Sequence, residues 1–207
     1  MTVPQGVLDR LVARVRAAAP RLPAAGPEGT AADRPAGGTR LVVVDGPAGS
    51  GKSTLAAQLA EALPAQVVHM DDLYDGWSGL AAGVERLHEQ VLAPLARGED
   101  GRYERYDWGT GRYAEWHDVP RAEYLVVEGC GAGDPRVDDL CALLVWVETD
   151  DALRLTRGLA RDGEDARGHW KAWMAAENAL YAAHRTARRA DVRLDGWGRV
   201  TWPAHGI

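Results

Sequence analysis

The sequence predicts an α/β fold: a parallel sheet of five strands with helices on both faces, a small hairpin and an arginine-rich lid. Three observations predict it. Short apolar runs of strand length alternate with stretches of helical period. The first of those runs passes directly into a glycine-rich turn and then a helix. Three of the runs end in acids, which a parallel sheet collects at one edge, the carboxyl ends of its strands.

The chain of 207 residues suits one domain, preceded by a short N-terminal piece. We expect residues 1–39 to be an amphipathic helix plus linker and residues 40–207 to be the folded domain. In residues 4–18, Val7, Leu8, Leu11, Val12 and Val15 recur at helical spacing, as for a helix docked on the domain. Residues 20–38 are rich in Pro, Gly and Ala and read as a linker.

Leu41–Asp45 reads as a buried strand, and Ser53–Leu63 as a helix. Between them lies Gly46-Pro47-Ala48-Gly49-Ser50-Gly51-Lys52-Ser53-Thr54, which fits the phosphate-binding P-loop pattern in its required strand–turn–helix context. Glycines there let backbone N–H groups turn inward around an anionic phosphate, and the helix N-terminus adds its positive end. Lys52 reaches the β- and γ-phosphates in such a loop, and the Ser53 hydroxyl sits on Mg²⁺. Lysine usage strengthens this reading. The chain has 24 basic residues, and Lys52 and Lys171 are the only lysines among them. One of the two stands where the loop needs a compact ammonium rather than a planar guanidinium.

Gln66–Met70 is a second short strand running into Asp71-Asp72, on the same sheet edge as the P-loop. An acid there can take a hydroxyl proton or hold Mg²⁺. Asp71 is the functional candidate and Asp72 the turn acid, because neighbours on an extended segment point opposite ways. A helix is expected over residues 79–97. Residues 101–118 alternate rings with charges around Trp108-Gly109-Thr110-Gly111, the pattern of a hairpin. Its rings either stack on a planar substrate or pack on the body; Tyr106, Asp107 and Trp108 are the candidate substrate contacts.

Tyr124–Gly129 carries a third strand whose terminal acid, Glu128, would meet the Mg²⁺ shell if it lies beside the P-loop strand. Leu140–Val147 is a fourth strand. Asp150–Asp162 is a helix with Arg157 and Arg161 on one face, bordered by Gly163, which suits a lid over the γ-phosphate. Residues 168–189 form a long helix whose stripe, including Trp170 and Trp173, reads as core. Asp191–Leu194 is a last strand.

These motifs together resemble the P-loop nucleoside and nucleotide kinases, nearest the uridine kinase and phosphoribulokinase branch. The resembling residues are the P-loop, Asp71-Asp72-Leu73-Tyr74, Tyr106-Asp107-Trp108, Glu128-Gly129 and the run from Arg154 to Asp162. The resemblance implies a three-layer P-loop fold and an ATP- and Mg²⁺-dependent transfer of the γ-phosphoryl to a small-molecule hydroxyl, with a nucleoside the first acceptor to expect. It implies Asp71 as base, Lys52, Arg157 and Arg161 as charge stabilisers, Ser53, Glu128 and Asp71 at the metal, and Tyr74 and Tyr106 near the acceptor. Uridine kinases carry a His shortly after the Tyr-Asp-aromatic triplet, and residues 109–112 here have none. Pantothenate, a sugar alcohol, an antibiotic or a nucleoside monophosphate are alternative acceptors. From another class, an ATP-binding regulator is the rival.

The net charge of −6 argues against a nucleic-acid polymer or an anionic membrane as partner. Cys130 and Cys141 show no metal-type spacing, so two free thiols and a cytoplasmic setting are expected; a homo-oligomer is compatible with the sequence.

Overall fold

The computed structural model describes residues 2–23 and 37–203. Its chain order is α1 (Gln5–Ala17), β1 (Arg40–Asp45), α2 (Lys52–Ala62), β2 (Gln66–His69), α3 (Leu80–Arg86), α4 (Ala93–Ala96), β3 (Gly101–Asp107), β4 (Arg112–Val119), β5 (Tyr124–Glu128), β6 (Cys141–Glu148), α5 (Asp151–Asp162), α6 (Arg167–His184), α7 (Thr186–Arg189), β7 (Val192–Asp195) and β8 (Val200–Pro203). The main sheet runs β2-β5-β1-β6-β7-β8, and β3 and β4 form a separate hairpin.

The sheet has six strands rather than the expected five. Strands β2, β5, β1, β6 and β7 are mutually parallel, and β8 adds antiparallel to β7. The parallel strands read as continuous apolar runs because helices cover both their faces. One face meets α1 and α2, where Leu11, Val15, Leu55 and Leu59 pack with Val42, Val44 and Val145. The other meets the helices from α3 onward, where Val43, Leu144 and Val127 pack with Val84, Leu87 and Trp173. Alternation along β1 explains the split: Val42 and Val44 point one way and Val43 the other.

The N-terminal helix docks as its stripe predicts. Leu8, Leu11, Val12 and Val15 are buried, each worth roughly 1.5–3 kcal/mol of transfer free energy. Of the expected linker, residues 24–36 lie outside the described residues.

Two helices depart from their expected regularity. The segment over residues 79–97 is interrupted by a π turn at Leu87–Leu92. The long helix ends at His184, where Arg185 adopts φ 52° and starts the short α7.

Candidate active site

The site is built at the carboxyl edge of the sheet, around the turn after β1. Gly46 has φ 145°, and a Cβ there would lie 2.0 Å from the Val147 carbonyl. Gly49 has φ 78° and would press a Cβ to 3.0 Å from the Arg154 carbonyl of α5. Gly51 has φ 104° and precedes the first residue of α2, Lys52. The glycines therefore let β6 and α5 approach the loop, as well as turning its amides.

Lys52 is almost fully buried, and its ammonium donates to the Pro47 carbonyl at 3.0 Å. Burial would lower its pKa, but the carboxylates around it, Glu128, Asp45 and Glu177, outweigh that and hold it raised. Lys52 stays charged.

Three strand-end acids surround it. Asp45, at the end of β1, is fully buried. It accepts from the N–H groups of Gly46, Gly131 and Gly133 and from the Tyr181 hydroxyl. All its oxygens are thus engaged in holding loops. Glu128, at the end of β5, lies beside β1 as expected. It meets His69 Nδ1 at 2.6 Å and accepts from Ser53. Burial would raise its pKa; the His69 hydrogen bond and Lys52 reverse the sign and hold it below the usual value. His69 is raised in turn, mainly by that hydrogen bond. Asp71 follows β2. It sits in a 3-10 turn, Met70–Asp72, rather than on extended backbone. Desolvation in the cleft, then the Glu128 carboxylate, raise its pKa above the ordinary aspartate value. Asp72 accepts from the Tyr103 hydroxyl at 3.1 Å, a structural role as expected.

Asp71, Lys52, Ser53, Glu128 and Arg161 line one cavity of about 300 Å³, together with Ala48, Gly49 and Tyr74. Four tryptophans complete its wall: Trp77, Trp108, Trp170 and Trp173. A neighbouring cavity of about 280 Å³ is lined by Gly49, Gly51, Lys52, Ser53, Thr54, Arg157 and Arg161, among others. Gly49, Lys52, Ser53, Arg161 and Trp170 belong to both, so they stand at the boundary between the two chambers. Arg157 donates to the Gly49 carbonyl at 3.1 Å, which ties the arginine-bearing helix α5 to the loop. Ser50 is buried, and its hydroxyl has no partner among the described residues.

Two of the four expected substrate contacts are elsewhere. Asp107 is absent from the cavity lining; its carboxylate caps the hairpin turn, accepting from the N–H groups of Gly109 and Thr110. Tyr106 also stands outside the lining, with its ring edge-on to Trp108 and Tyr113. It props Trp108, whose indole N–H donates to the Asp71 carbonyl at 2.8 Å. Tyr74 lines the cavity with its ring, but its hydroxyl is spent on the Cys130 carbonyl at 2.7 Å.

Sequence reasoning missed several residues here. Trp170 and Trp173 are buried, as the helical stripe predicts, and also form cavity wall. Trp77 lies in a one-turn segment with no periodicity to reveal it. Glu177 is fully buried on α6 and accepts from the Ala48 N–H at 2.9 Å, from the Cys130 thiol and from Arg154. Burial pushes the Cys130 thiol up to about 12, so it stands in the site as a neutral group.

The donor set fits Mg²⁺ in kind. Ser53, Glu128 and Asp71 offer oxygen atoms only, which suits a hard cation. No group of three or more His, Cys, Asp or Glu side chains among the described residues forms a ready-made metal cage.

A parallel sheet with a P-loop after its first strand and acids at the ends of the neighbouring strands defines a P-loop protein of kinase fold. The comparisons agree with that fold. A family model described as an AAA domain matches residues 41–120. The cytidylate kinase of Pseudomonas aeruginosa (strain UCBPP-PA14) is 28% identical over 132 residues, covering 62% of this chain and 58% of that protein. That of Pseudomonas putida (strain W619) is 29% identical over 128 residues, covering 60% and 56%. The similarity thus spans little more than half the length of these curated relatives. Among solved structures, a possible uridine kinase from Bacillus stearothermophilus superposes with a TM-score of 0.60 at 21% identity, covering 91% of this chain and 97% of that one. A protein described as a fructose transport system kinase, from Silicibacter sp. TM1040, superposes with 0.57 at 21% identity, covering 86% and 94%. At these identities the structural likeness speaks for the fold. No helix among the described residues is long and apolar enough to cross a membrane.

Proposed function

We propose that this protein is an ATP- and Mg²⁺-dependent kinase that passes the γ-phosphoryl of ATP in line to a hydroxyl of a small molecule. One observation carries the reading: Asp71 shares a single cavity with Lys52, Ser53 and Glu128, yet its carboxylate has no hydrogen-bond partner among the described residues. An acid so held is available to a substrate hydroxyl, and its raised pKa makes it a better proton acceptor than an ordinary aspartate.

In this reading the bond from the acceptor oxygen to γ-phosphorus forms as the bond to the β,γ-bridging oxygen breaks, and the hydroxyl proton passes to Asp71. Gly46, Ala48, Gly49, Ser50, Gly51 and Thr54 shape or border the phosphate cradle. Lys52, Arg157 and Arg161 balance charge on the phosphoryl in flight. Ser53 and Glu128, with Asp71 nearby, would hold Mg²⁺, which supplies charge neutralisation at the phosphates. The wall of Trp77, Trp170 and Trp173 keeps water from the acceptor side.

A second reading has its own support, because the curated relatives are cytidylate kinases, whose name gives a monophosphate acceptor. A phosphate acceptor needs a second arginine clamp. Among the described residues, Arg161 is the only arginine lining the acceptor cavity, and it is paired with Asp162. Arg86 is bound to the Leu73 carbonyl and Asp75, and Arg105 to Glu115. Arg112 is exposed and outside the lining. These placements favour an alcohol acceptor.

The test is ADP release from Mg-ATP across nucleosides, nucleoside monophosphates, pantothenate, sugar alcohols and amino alcohols. The solved neighbour named a possible uridine kinase puts nucleosides first on that panel. Acceptor-dependent release with an alcohol and none with a monophosphate supports the proposal. Slow ATP hydrolysis that no acceptor stimulates would leave a nucleotide-binding regulator instead.

A further inference from the structure

The Asp71 carboxylate has no hydrogen-bond partner among the described residues, so its aim follows its backbone. That backbone is a single 3-10 turn, Met70–Asp72, with no side-chain cap. Such turns have poor hydrogen-bond geometry and little stiffness of their own. Whatever grips the turn from outside therefore aims the acid.

The grip comes from the β3–β4 hairpin. Three consecutive residues after β2 each accept one hydrogen bond from a ring on it. The Trp108 indole N–H donates to the Asp71 carbonyl at 2.8 Å. The Tyr103 hydroxyl donates to the Asp72 carboxylate at 3.1 Å, and the Tyr113 hydroxyl to the Leu73 carbonyl at 3.3 Å. The hairpin is a two-stranded sheet of its own, so the ladder of the main sheet does not impose these contacts.

Trp108 stands out among the three donors. It bonds Asp71 itself, whereas Leu73 keeps a second donor, the Arg86 guanidinium at 3.1 Å, if Tyr113 is lost. The Trp108 ring is held edge-on to Trp77 at 76° and to Tyr106 at 86°, with centroids 5.6 Å away in both cases. Asp107 builds the turn behind it through the Gly109 and Thr110 amides. Trp108 is 41% exposed and also lines the cavity that Asp71 shares with Lys52. The residue at the rim of the acceptor cavity is thus the one that holds the backbone of the base.

We infer that the hairpin is the positioning element for Asp71 and that the Trp108 indole N–H is its principal handle, acting on the acceptor through Asp71 and not on ATP. This rests on the kinase reading for the reaction and on the hydrogen bonds alone for the grip.

Two measurements on the full chain separate grip from reaction. Trp108→Phe keeps a ring at the rim and removes the N–H. The first measurement needs no turnover. It follows hydrogen exchange of the Leu73 and Tyr74 amides, which close the turn on the Met70 carbonyl at 2.9 and 3.2 Å, in protein saturated with Mg-ADP. Exchange should quicken about 2- to 10-fold in Trp108→Phe, the effect of losing one ordinary hydrogen bond. The second is steady-state transfer from Mg-ATP, with uridine as the first acceptor and then the rest of the panel. Trp108→Phe should lower kcat about 10- to 100-fold, as for a misplaced catalytic group, and leave the KM for Mg-ATP as in the parent. In the Asp71→Asn background the same change should cost nothing further, because both remove one function. Tyr113→Phe should cost less than about threefold, because Arg86 remains on Leu73. If Trp108→Phe does not fold, Tyr103→Phe, which removes a single hydroxyl from the same grip, carries both measurements. Unchanged exchange, or losses that multiply between Trp108→Phe and Asp71→Asn, overturns the inference and leaves the kinase proposal standing. Faster exchange in a protein that phosphorylates no acceptor upholds the grip and removes the transfer reaction.

Discussion

Replacing Glu177 by Gln tests what holds the phosphate loop in shape. Glu177 and Arg154 are both fully buried and are joined at 2.5 Å. Every partner of the Glu177 carboxylate is a donor: Arg154, the Ala48 N–H and the Cys130 thiol. A glutamine there turns its NH₂ toward at least one of those donors and removes the negative charge. Breaking a buried ion pair costs about 3–5 kcal/mol. Asp151 also holds the Arg154 guanidinium, so the lower end applies. About 3 kcal/mol at roughly 2–4 °C per kcal/mol lowers Tm by roughly 6–12 °C. Calorimetry of the nucleotide-free protein measures it. The double variant Arg154→Met with Glu177→Leu separates stability from positioning. It should recover much of the lost Tm, because a matched apolar pair replaces the ion pair. Its ATP affinity should stay about tenfold weak, because the Ala48 amide is left without its acceptor. A single variant that melts within about 2 °C of the parent would refute the reasoning, since the cited cost could not then be present.

Asp71→Asn should lower turnover by about 10² to 10⁴ while leaving ATP affinity intact, as removal of a positioned base does; unchanged steady-state turnover would take Asp71 out of the reaction. Gly158→Ala should disturb the lid, because a Cβ there would lie 2.2 Å from the Trp170 ring. Limited proteolysis of α5 and the fluorescence of Trp170 would register it, and a parent-like pattern would show that α5 has room to shift. The His69–Glu128 pair predicts a pH signature. His69 has a folded pKa raised by Glu128, so its stabilisation is complete below the unfolded value of about 6.5 and is lost as pH rises through the folded value. Tm should therefore decline across that interval, and His69→Gln should flatten the decline; an unchanged slope would exclude the pair as its source.

What could be read from the sequence was whatever the backbone fixes locally. The P-loop, the strands ending at Asp45 and Glu128, the 101–118 hairpin and the arginine-bearing helix all appear as expected. Each is specified within a few consecutive residues. Contacts made by distant residues were not legible. Glu177 reaches Ala48 across 129 positions, and nothing in its helical stripe marks it apart from an ordinary polar residue. The four tryptophans of the cavity wall come from three separate segments, and the 3.6-residue period that assigns Trp170 and Trp173 to the core does not tell core from cavity wall. Tyr106 and Asp107 stand outside the cavity lining for another reason. The triplet they share with Trp108 marks the hairpin tip, but Asp107 is consumed by the turn that presents Trp108. The sixth strand, β8, lies at the sheet edge and ends in Pro203, and a proline in a short run argues against reading it as a strand.

Three acids at one sheet edge take three different environments, and that separation assigns their work. Asp45 is saturated by backbone and tyrosine donors and can offer nothing to a ligand. Glu128 is kept charged by His69 and Lys52 and touches Ser53, which suits a cation. Asp71 is raised by its desolvated position and then by the charge on Glu128. The last of these couples the acids. If Asp71 is the base, kcat/KM should rise with pH through its ionisation, because only the carboxylate takes the proton. The midpoint should lie above the ordinary value of about 3.9. Glu128→Gln removes the neighbouring charge and should move that midpoint downward, whatever it does to the height of the profile. The position of the midpoint is the readout, since any weakening of magnesium binding lowers the plateau. A midpoint that stays put in the Glu128→Gln enzyme would mean that the titrating group lies elsewhere and that the two acids do not act in one site.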